Sequence, residues 1–254
     1  MMKQRSVEKK AAPALCSNRD HRRILKERFK QGSLQGFHSY EILEFLLLYA
    51  VPKKDVKPLA KALITRFKGL RGVFDATPEE FKGVTGIGEN AVVLIKLLKD
   101  ITGVYLKERM MGKDIITCTR DVLDYLKLTL SGERVEKFLA IYMNGRNEVL
   151  AIEILHEGTI NQTVVYPRKA IEKAFKHNAS SVVFVHNHPS GDATPSDVDW
   201  QLTRVLDRAA LAVDLFVHDH IIIGKNRHFS ARENGWIIGC PVNHHKAAES
   251  KGIR

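Results

Sequence analysis

The sequence is poor in cysteine and has no long apolar run. Its three cysteines, Cys16, Cys118 and Cys240, lie far apart and form no Cys-x-x-Cys pair. That argues against a disulfide framework and against a thiolate-held zinc knot. The longest uninterrupted apolar run is Phe45 to Val51, far short of the roughly 20 residues a membrane span needs. Lys3, Arg5, Lys9 and Lys10 make the start of the chain basic, but no apolar segment follows them. No secretory signal and no membrane partner are therefore expected. There is no internal repeat. These absences lead to the expectation of a soluble protein in a reducing, cytoplasmic setting.

Over 254 residues, 44% are hydrophobic and 27% charged, a balance that excludes wholesale disorder and collagen-like architecture. The length suits one large domain or two smaller ones. The net charge is +11, and it is unevenly spread. Residues 1–112 hold 22 Lys and Arg against 12 Asp and Glu, whereas the remainder holds 18 against 17. An excess of positive charge confined to one half suits a polyanion partner for that half, or a solvated basic surface.

Residues 1–19 read as a flexible basic tail. From 20 to about 110 the spacing is helical, over 20–30, 39–50, 55–68 and 89–108, with Pro78 to Phe81 as a further short helix. Gly32, Gly36, Pro52, Gly69, Gly72 and Gly86 punctuate this all-α half. Residues 110–114 read as a link. Beyond it helices and strands interleave, which implies an α/β layered domain over 115–240. Thr119 is expected to cap a helix over 120–130. Strands are expected at 138–143 and 149–155, joined through Asn144-Gly145 as a hairpin. A helix over 168–177, a buried strand over 181–186, a helix over 195–213 and a strand over 215–223 follow. Residues 241–254, with His244 and His245, read as a loose tail.

The richest stretch runs from His186 to Asp199: His-Asn-His-Pro-Ser-Gly-Asp-Ala-Thr-Pro-Ser-Asp-Val-Asp. Val182, Val183, Phe184 and Val185 bring the chain up as a buried strand. Strand side chains alternate, so His186 and His188 share a side. Two imidazoles so placed suit Zn²⁺. Pro189 and Gly191 turn the chain. Thr194 is then the expected N-cap of the next helix, with Pro195 in its first position. Ser196 and Asp199 are three residues apart and share one helix face. His186, His188 and Asp199 as three ligands leave a fourth tetrahedral position for water, the catalytic pattern. Water so held can ionise near pH 7. Ser196 would donate to a developing oxyanion. The residues alone also allow a plain reading, in which His and Asp hydrogen-bond around a turn. Two competing metal patterns are missing: the H-x-E with P-C-x-x-C of the nucleoside deaminases, and the H-E-x-x-H of the zincins.

This stretch resembles the JAMM motif of the MPN-type metallopeptidases, H-x-H-x(7)-S-x-x-D, at His186, His188, Ser196 and Asp199. Its wording is more specifically similar to that of the bacterial RadC (UPF0758-type) family. So are Val165-Tyr166-Pro167-Arg168, Asn178-Ala179-Ser180 and His218-Asp219-His220-Ile221-Ile222-Ile223-Gly224. The resemblance spans about 20–240. It implies a C-terminal JAMM/MPN domain of cytidine-deaminase-like α-β-α layers with a mixed sheet. It also implies one zinc per chain and hydrolysis of a peptide or isopeptide bond in a peptide or protein substrate. The family's general base is a Glu in a Glu-x-Phe leading into an apolar strand. Here that is Glu136-Lys137-Phe138, so the resemblance assigns Glu136 the proton shuttle. Glu133, Glu153 and Glu157 are rivals for that role. His218 and His220, at strand spacing, are ranked as outer neighbours of the site or as structural histidines. Asp219 is expected to serve as an acceptor near it.

In the N-terminal half, Val84-Thr85-Gly86-Ile87-Gly88-Glu89 precedes a long helix. Gly86 and Gly88 would let backbone N–H groups approach a phosphate at a helix N-terminus. The RadC resemblance implies a helix–hairpin–helix domain here, with Lys53 and Lys54 at the turn of a second, more degenerate half. DNA contact through Gly86, Gly88, Lys53 and Lys54 is the expectation. Glu89 stands against it or simply caps the helix dipole. Two rival readings remain: a non-catalytic DNA repair or recombination accessory with a structural metal, and a nuclease using the same zinc. The latter lacks the carboxylate cluster of two-metal nucleases.

Overall fold

A computed structural model of the chain describes residues 18–52, 54–115, 119–158 and 165–237. The three cysteines, Lys53, His244 and His245 lie outside the described residues. The chain forms two compact units, Met1–Leu98 and Lys99–Arg254. The division falls inside a helix and not at 110–114, where composition placed the link.

The first unit is helical: α1 (Asn18–Gly32), α2 (Ser39–Ala50), α3 (Lys57–Arg66), α4 (Leu70–Asp75), α5 (Pro78–Phe81) and the first part of α6 (Glu89–Met110). Leu25, Leu43, Leu47, Leu63, Phe81 and Ile95 are fully buried at its centre. α5 starts because Pro78 presets the first helical position and the Glu80 carboxylate accepts from the Thr77 N–H at 2.8 Å. The sequence did not announce α4, since Gly72 reads as punctuation. In the structure Gly72 is inside that helix, at a position that takes only glycine because a Cβ there would collide with the Phe67 carbonyl. α5 and α6 flank the turn at Gly86, whose φ is +92°.

The second unit holds the rest of α6, α7 (Thr119–Leu130), α8 (Pro167–Lys176), α9 (Asp197–Leu211) and a five-stranded sheet. Its strands are β1 (Lys137–Met143), β2 (Val149–Glu157), β3 (Ser181–Asn187), β4 (Phe216–Ile223) and β5 (His228–Ser230), in the order β2-β1-β3-β4-β5. β3 and β4 are parallel, joined through α9, and the other pairs are antiparallel. The sheet is therefore mixed, as expected. β1 and β3 are buried on both faces, which is why they read as unbroken apolar runs. On one face Phe138, Tyr142, Val182 and Phe184 pack with α8 and α9. On the other, Leu139, Ile141, Val183 and Val185 pack with α7. Truncating Phe184 to Ala would cost about 3–5 kcal/mol.

Two local expectations are corrected and one holds. The hairpin between β1 and β2 forms as expected, with Asn144–Glu148 as its loop. Asn147 takes the left-handed position at φ 61°, while the Asn144 side chain accepts from the Arg146 and Glu148 N–H groups. Thr119 is the first residue of α7, and its hydroxyl donates to the Ile115 carbonyl at 2.9 Å. α9 is capped by Ser196, two residues later than Thr194. Thr194 is held in the loop, where its N–H and hydroxyl both donate to the Asp192 carboxylate.

Candidate metal centre

Three elements of the second unit deliver the site. β3 ends on His186 and Asn187, with His188 immediately beyond; α9 opens with Asp199 in its first turn; Glu136 directly precedes β1. In the antiparallel register Phe138 lies opposite His186, which places Glu136 beside the end of β3. The Nε2 atoms of His186 and His188 are 3.1 Å apart. The Asp199 carboxylate lies 3.1 Å from the first and 3.4 Å from the second. The nearest Glu136 oxygen is 3.9 Å from His186 Nε2. His186 is wholly buried and Asp199 nearly so, while His188 and Glu136 keep partial exposure.

Polar atoms this close in a buried place need a shared cation or shared protons. Around a tetrahedral zinc with bonds of 2.0–2.2 Å, neighbouring ligand atoms sit about 3.3–3.6 Å apart. The spacings among His186, His188 and Asp199, 3.1–3.4 Å, lie close to that edge. Glu136, His186 and His188 also form a cluster with ligand atoms within 4.8 Å of one another, so two overlapping trios share the two histidines. The donor set, neutral nitrogens with carboxylate, suits zinc.

The electrostatics agree with a charged Asp199. Burial alone would push its carboxyl up, but hydrogen bonds with His186 and His188 outweigh burial and hold it well below the usual carboxylate range. The bond to Asp199 raises His188 against the effect of its burial. His188 Nδ1 lies 2.8 Å from the Asp192 carbonyl, which can only accept. Nδ1 therefore carries the hydrogen, and Nε2 faces the cluster. The loop carrying Asp192 rests on the end of β4: His188 N donates to the Ile223 carbonyl, and Lys225 N to the Gly191 carbonyl.

Ser196 and Asp199 cap α9 reciprocally. The Ser196 hydroxyl donates to Asp199 Oδ2 at 2.7 Å, and the Ser196 N–H donates to the same oxygen at 2.7 Å. The Ser196 hydroxyl is thus engaged by the carboxylate, a link that spacing alone did not show.

His220 is fully buried between the Phe138 and Phe184 rings, with Nε2 2.9 Å from His186 Nδ1. Burial holds its pKa well below the ordinary histidine value. His218 does not join it. Val182 pairs with Val217 but Val183 pairs with Asp219, so a bulge at His218 breaks the alternation that would put both rings on one face. His218 lies with Ile115, Val122 and Leu123 on the opposite face, 3.0 Å from an Arg232 nitrogen. Asp219, expected near the site, accepts instead from the Ser230 hydroxyl and the Arg232 N–H. Glu153 and Glu133 are likewise engaged elsewhere, with Lys173 and His177 and with Lys137 respectively. Glu157 lies 3.5 Å from Lys137 Nζ.

Two residues of the site escaped the sequence reading. Asn187 is buried, and its amide accepts from the Lys137 N–H at 2.8 Å and donates to the Val135 carbonyl at 3.2 Å. It grips the backbone on both sides of Glu136. Its signal was there: between two histidines on a strand, it must face the other way. Thr203 lies four residues after Asp199 on α9, and so on the same face. Its hydroxyl touches both the Asp199 carbonyl and His220 Nδ1, each at 2.6 Å.

In the first unit, Lys54 is exposed and lines one hollow with Gly86 and Gly88, as does Glu89. Lys53 falls outside the described residues. Among the described residues no helix is long and apolar enough to cross a membrane.

An α/β domain with a mixed sheet whose central strand delivers paired histidines to a carboxylate on the next helix belongs to the JAB/MPN class. Residues 116–236 match the RadC-like JAB domain. The chain is 37% identical to a UPF0758 protein of Fusobacterium nucleatum, over 87% of this chain and 98% of that one. It is 37% identical to a UPF0758 protein of Ruegeria pomeroyi, over 86% and 98%. A UPF0758 protein of Rhodobacter capsulatus is 35% identical over 84% and 99%. The chain belongs to the RadC family.

Proposed function

We propose that this protein is a zinc-dependent hydrolase of peptide or isopeptide bonds, with a helical unit that contacts DNA. The observation that carries the first part is the convergence of His186 Nε2, His188 Nε2 and the Asp199 carboxylate at 3.1–3.4 Å. These three residues would hold one zinc. When bound, the metal supplies Lewis acidity, which polarises a carbonyl and makes water nucleophilic near neutral pH. Glu136 stands one step further out, at 3.9 Å, where a carboxylate takes a proton from the attacking water and returns it to the leaving amine. Ser196 faces the same cluster with a hydroxyl and turns its hydrogen from Asp199 to the developing oxyanion. The Ser196 N–H continues to hold Asp199 meanwhile.

Elemental mass spectrometry of the purified chain tests this. We expect about one zinc per chain, lost in His188→Ala and Asp199→Ala. Glu136→Gln should keep its zinc and cleave no peptide or isopeptide in a substrate panel that the wild type cleaves. Loss of zinc in Glu136→Gln with retention in Asp199→Ala would make the other trio the ligand set. Well-folded wild type that takes up no zinc when supplied with it sinks the hydrolase reading.

DNA contact rests on the positive excess in residues 1–112 and on Lys54 beside the Gly86 turn. Phosphate contacts make affinity fall steeply with salt. Titration of the full chain on duplex and single-stranded DNA should show that slope, and a flat response would remove DNA from the proposal.

A further inference from the structure

The zinc site is backed by a chain of polar atoms running through a buried, otherwise apolar layer. It passes from His186 Nδ1 to His220 Nε2 (2.9 Å), from His220 Nδ1 to Thr203 Oγ1 (2.6 Å), and from Thr203 Oγ1 to the Asp199 carbonyl (2.6 Å). It links β3, β4 and α9 and ends on the residue that also supplies the carboxylate. The positions of its hydrogens follow from donor and acceptor counts.

A carbonyl has no hydrogen to give. Two oxygens at 2.6 Å need one between them, so the hydroxyl hydrogen of Thr203 points at the Asp199 carbonyl. Thr203 has no second hydrogen, so the contact with His220 must be donated by His220 Nδ1. His220 is buried against the Phe138 and Phe184 rings. A charged imidazolium there would be costly, so its Nε2 is left with a lone pair. That lone pair accepts from His186 Nδ1–H. His186 then has only Nε2 to offer an ion, and this is the atom 3.1 Å from both His188 Nε2 and the Asp199 carboxylate.

We propose that His220 and Thr203 are positioning residues that fix the tautomer of His186 by a one-way hydrogen-bond chain ending on the Asp199 carbonyl. The inference rests on the zinc reading above for its purpose, but the order from His186 Nδ1–H through His220 and Thr203 to the Asp199 carbonyl does not require the metal; without an ion the Nε2 atoms of His186 and His188 share protons with Asp199 instead. The chain also couples the ligands: a shift of α9 that moves Asp199 pulls on Thr203, and through His220 on His186. Lone pairs on both histidines are thus set by partners outside the cluster, His188 by the Asp192 carbonyl and His186 by this chain.

The test has two arms. Long-range ¹H–¹⁵N correlation spectra of the zinc-free wild type should show His220 with a protonated Nδ1 and an unprotonated Nε2. The opposite tautomer at His220 overturns the proposal. In the second arm, zinc affinity is measured by competition with a chelating dye in Thr203→Val and Thr203→Ser. Valine keeps the shape and removes the hydroxyl, so affinity should fall about 10- to 100-fold, and serine should restore most of it. Unchanged affinity in a folded Thr203→Val also overturns it. If wild type takes up no zinc, the hydrolase reading falls by itself, and the His220 tautomer still decides the chain.

Discussion

Ser196 and Asp199 hold each other in both directions. The Ser196 hydroxyl and N–H donate to one carboxylate oxygen, and the Asp199 N–H points back to the Ser196 hydroxyl at 3.2 Å. The pair starts α9 and aims the other carboxylate oxygen at His186. One capping box therefore serves both folding and the proposed metal. Ser196→Ala should lower stability by about 0.5–2 kcal/mol. It should still hold zinc, because the Ser196 N–H remains on Asp199. Thermal melts and elemental analysis check this; complete loss of zinc would show that the hydroxyl itself is required to aim the carboxylate.

Gly224 should be equally intolerant. A Cβ there would lie 2.7 Å from the Gly191 oxygen and 2.8 Å from the Ala193 nitrogen, both backbone atoms. The loop it would strike carries the Asp192 carbonyl that orients His188. Gly224→Ala should cost roughly 1–3 kcal/mol through overpacking and weaken zinc binding at the same time. A variant with unchanged melting and unchanged zinc affinity would show that the loop yields freely.

These contacts explain what was legible in the sequence. The convergence of His186, His188, Ser196 and Asp199 was legible because their types and spacing follow local geometry: a strand end, a turn and a first helical turn; Glu136 was reached only through the family resemblance. The layered α/β fold was legible for the same reason, since β1 and β3 carry unbroken apolar runs. What escaped depends on long-range pairing. A bulge opposite Val182 and Val183 sends His218 to the other face, and strict alternation cannot foresee a bulge. Asn187 meets Val135 and Lys137 across some fifty residues of chain. The start of α9 moved from Thr194 to Ser196 because Asp192 competes for Thr194.

Stability at low pH should report Glu153. The carboxylate of this β2 residue is held down to about 2 by Lys173 first and His177 next, both carried by α8 and its end. Its ordinary value is 4.5. A depressed carboxyl contributes stability that is full above its unfolded value and lost as pH falls through its folded one. Melting temperature should therefore decline from about pH 4.5 toward pH 2. Glu153→Gln should be less stable at neutral pH and should flatten that decline. An unchanged acid limb would mean that other carboxylates, Asp199 among them, dominate it.

Asn187 gives the sharpest separation between holding the metal and placing Glu136. Its amide satisfies the Lys137 N–H and the Val135 carbonyl from a position 1% exposed. Asn187→Leu keeps the volume and removes both bonds, leaving a partly buried backbone N–H and carbonyl without this partner. The expected cost is about 1–3 kcal/mol, with strand pairing of β1 to β3 otherwise intact. Its neighbours His186 and His188 face the opposite way, so zinc stoichiometry should stay at wild-type level. If Glu136 is the proton carrier, kcat should fall while KM for a cleaved peptide holds, since only the placing of Glu136 has changed. If zinc is lost instead, the backbone around Glu136 is part of what holds the metal, and Glu136 moves from proton carrier to ligand.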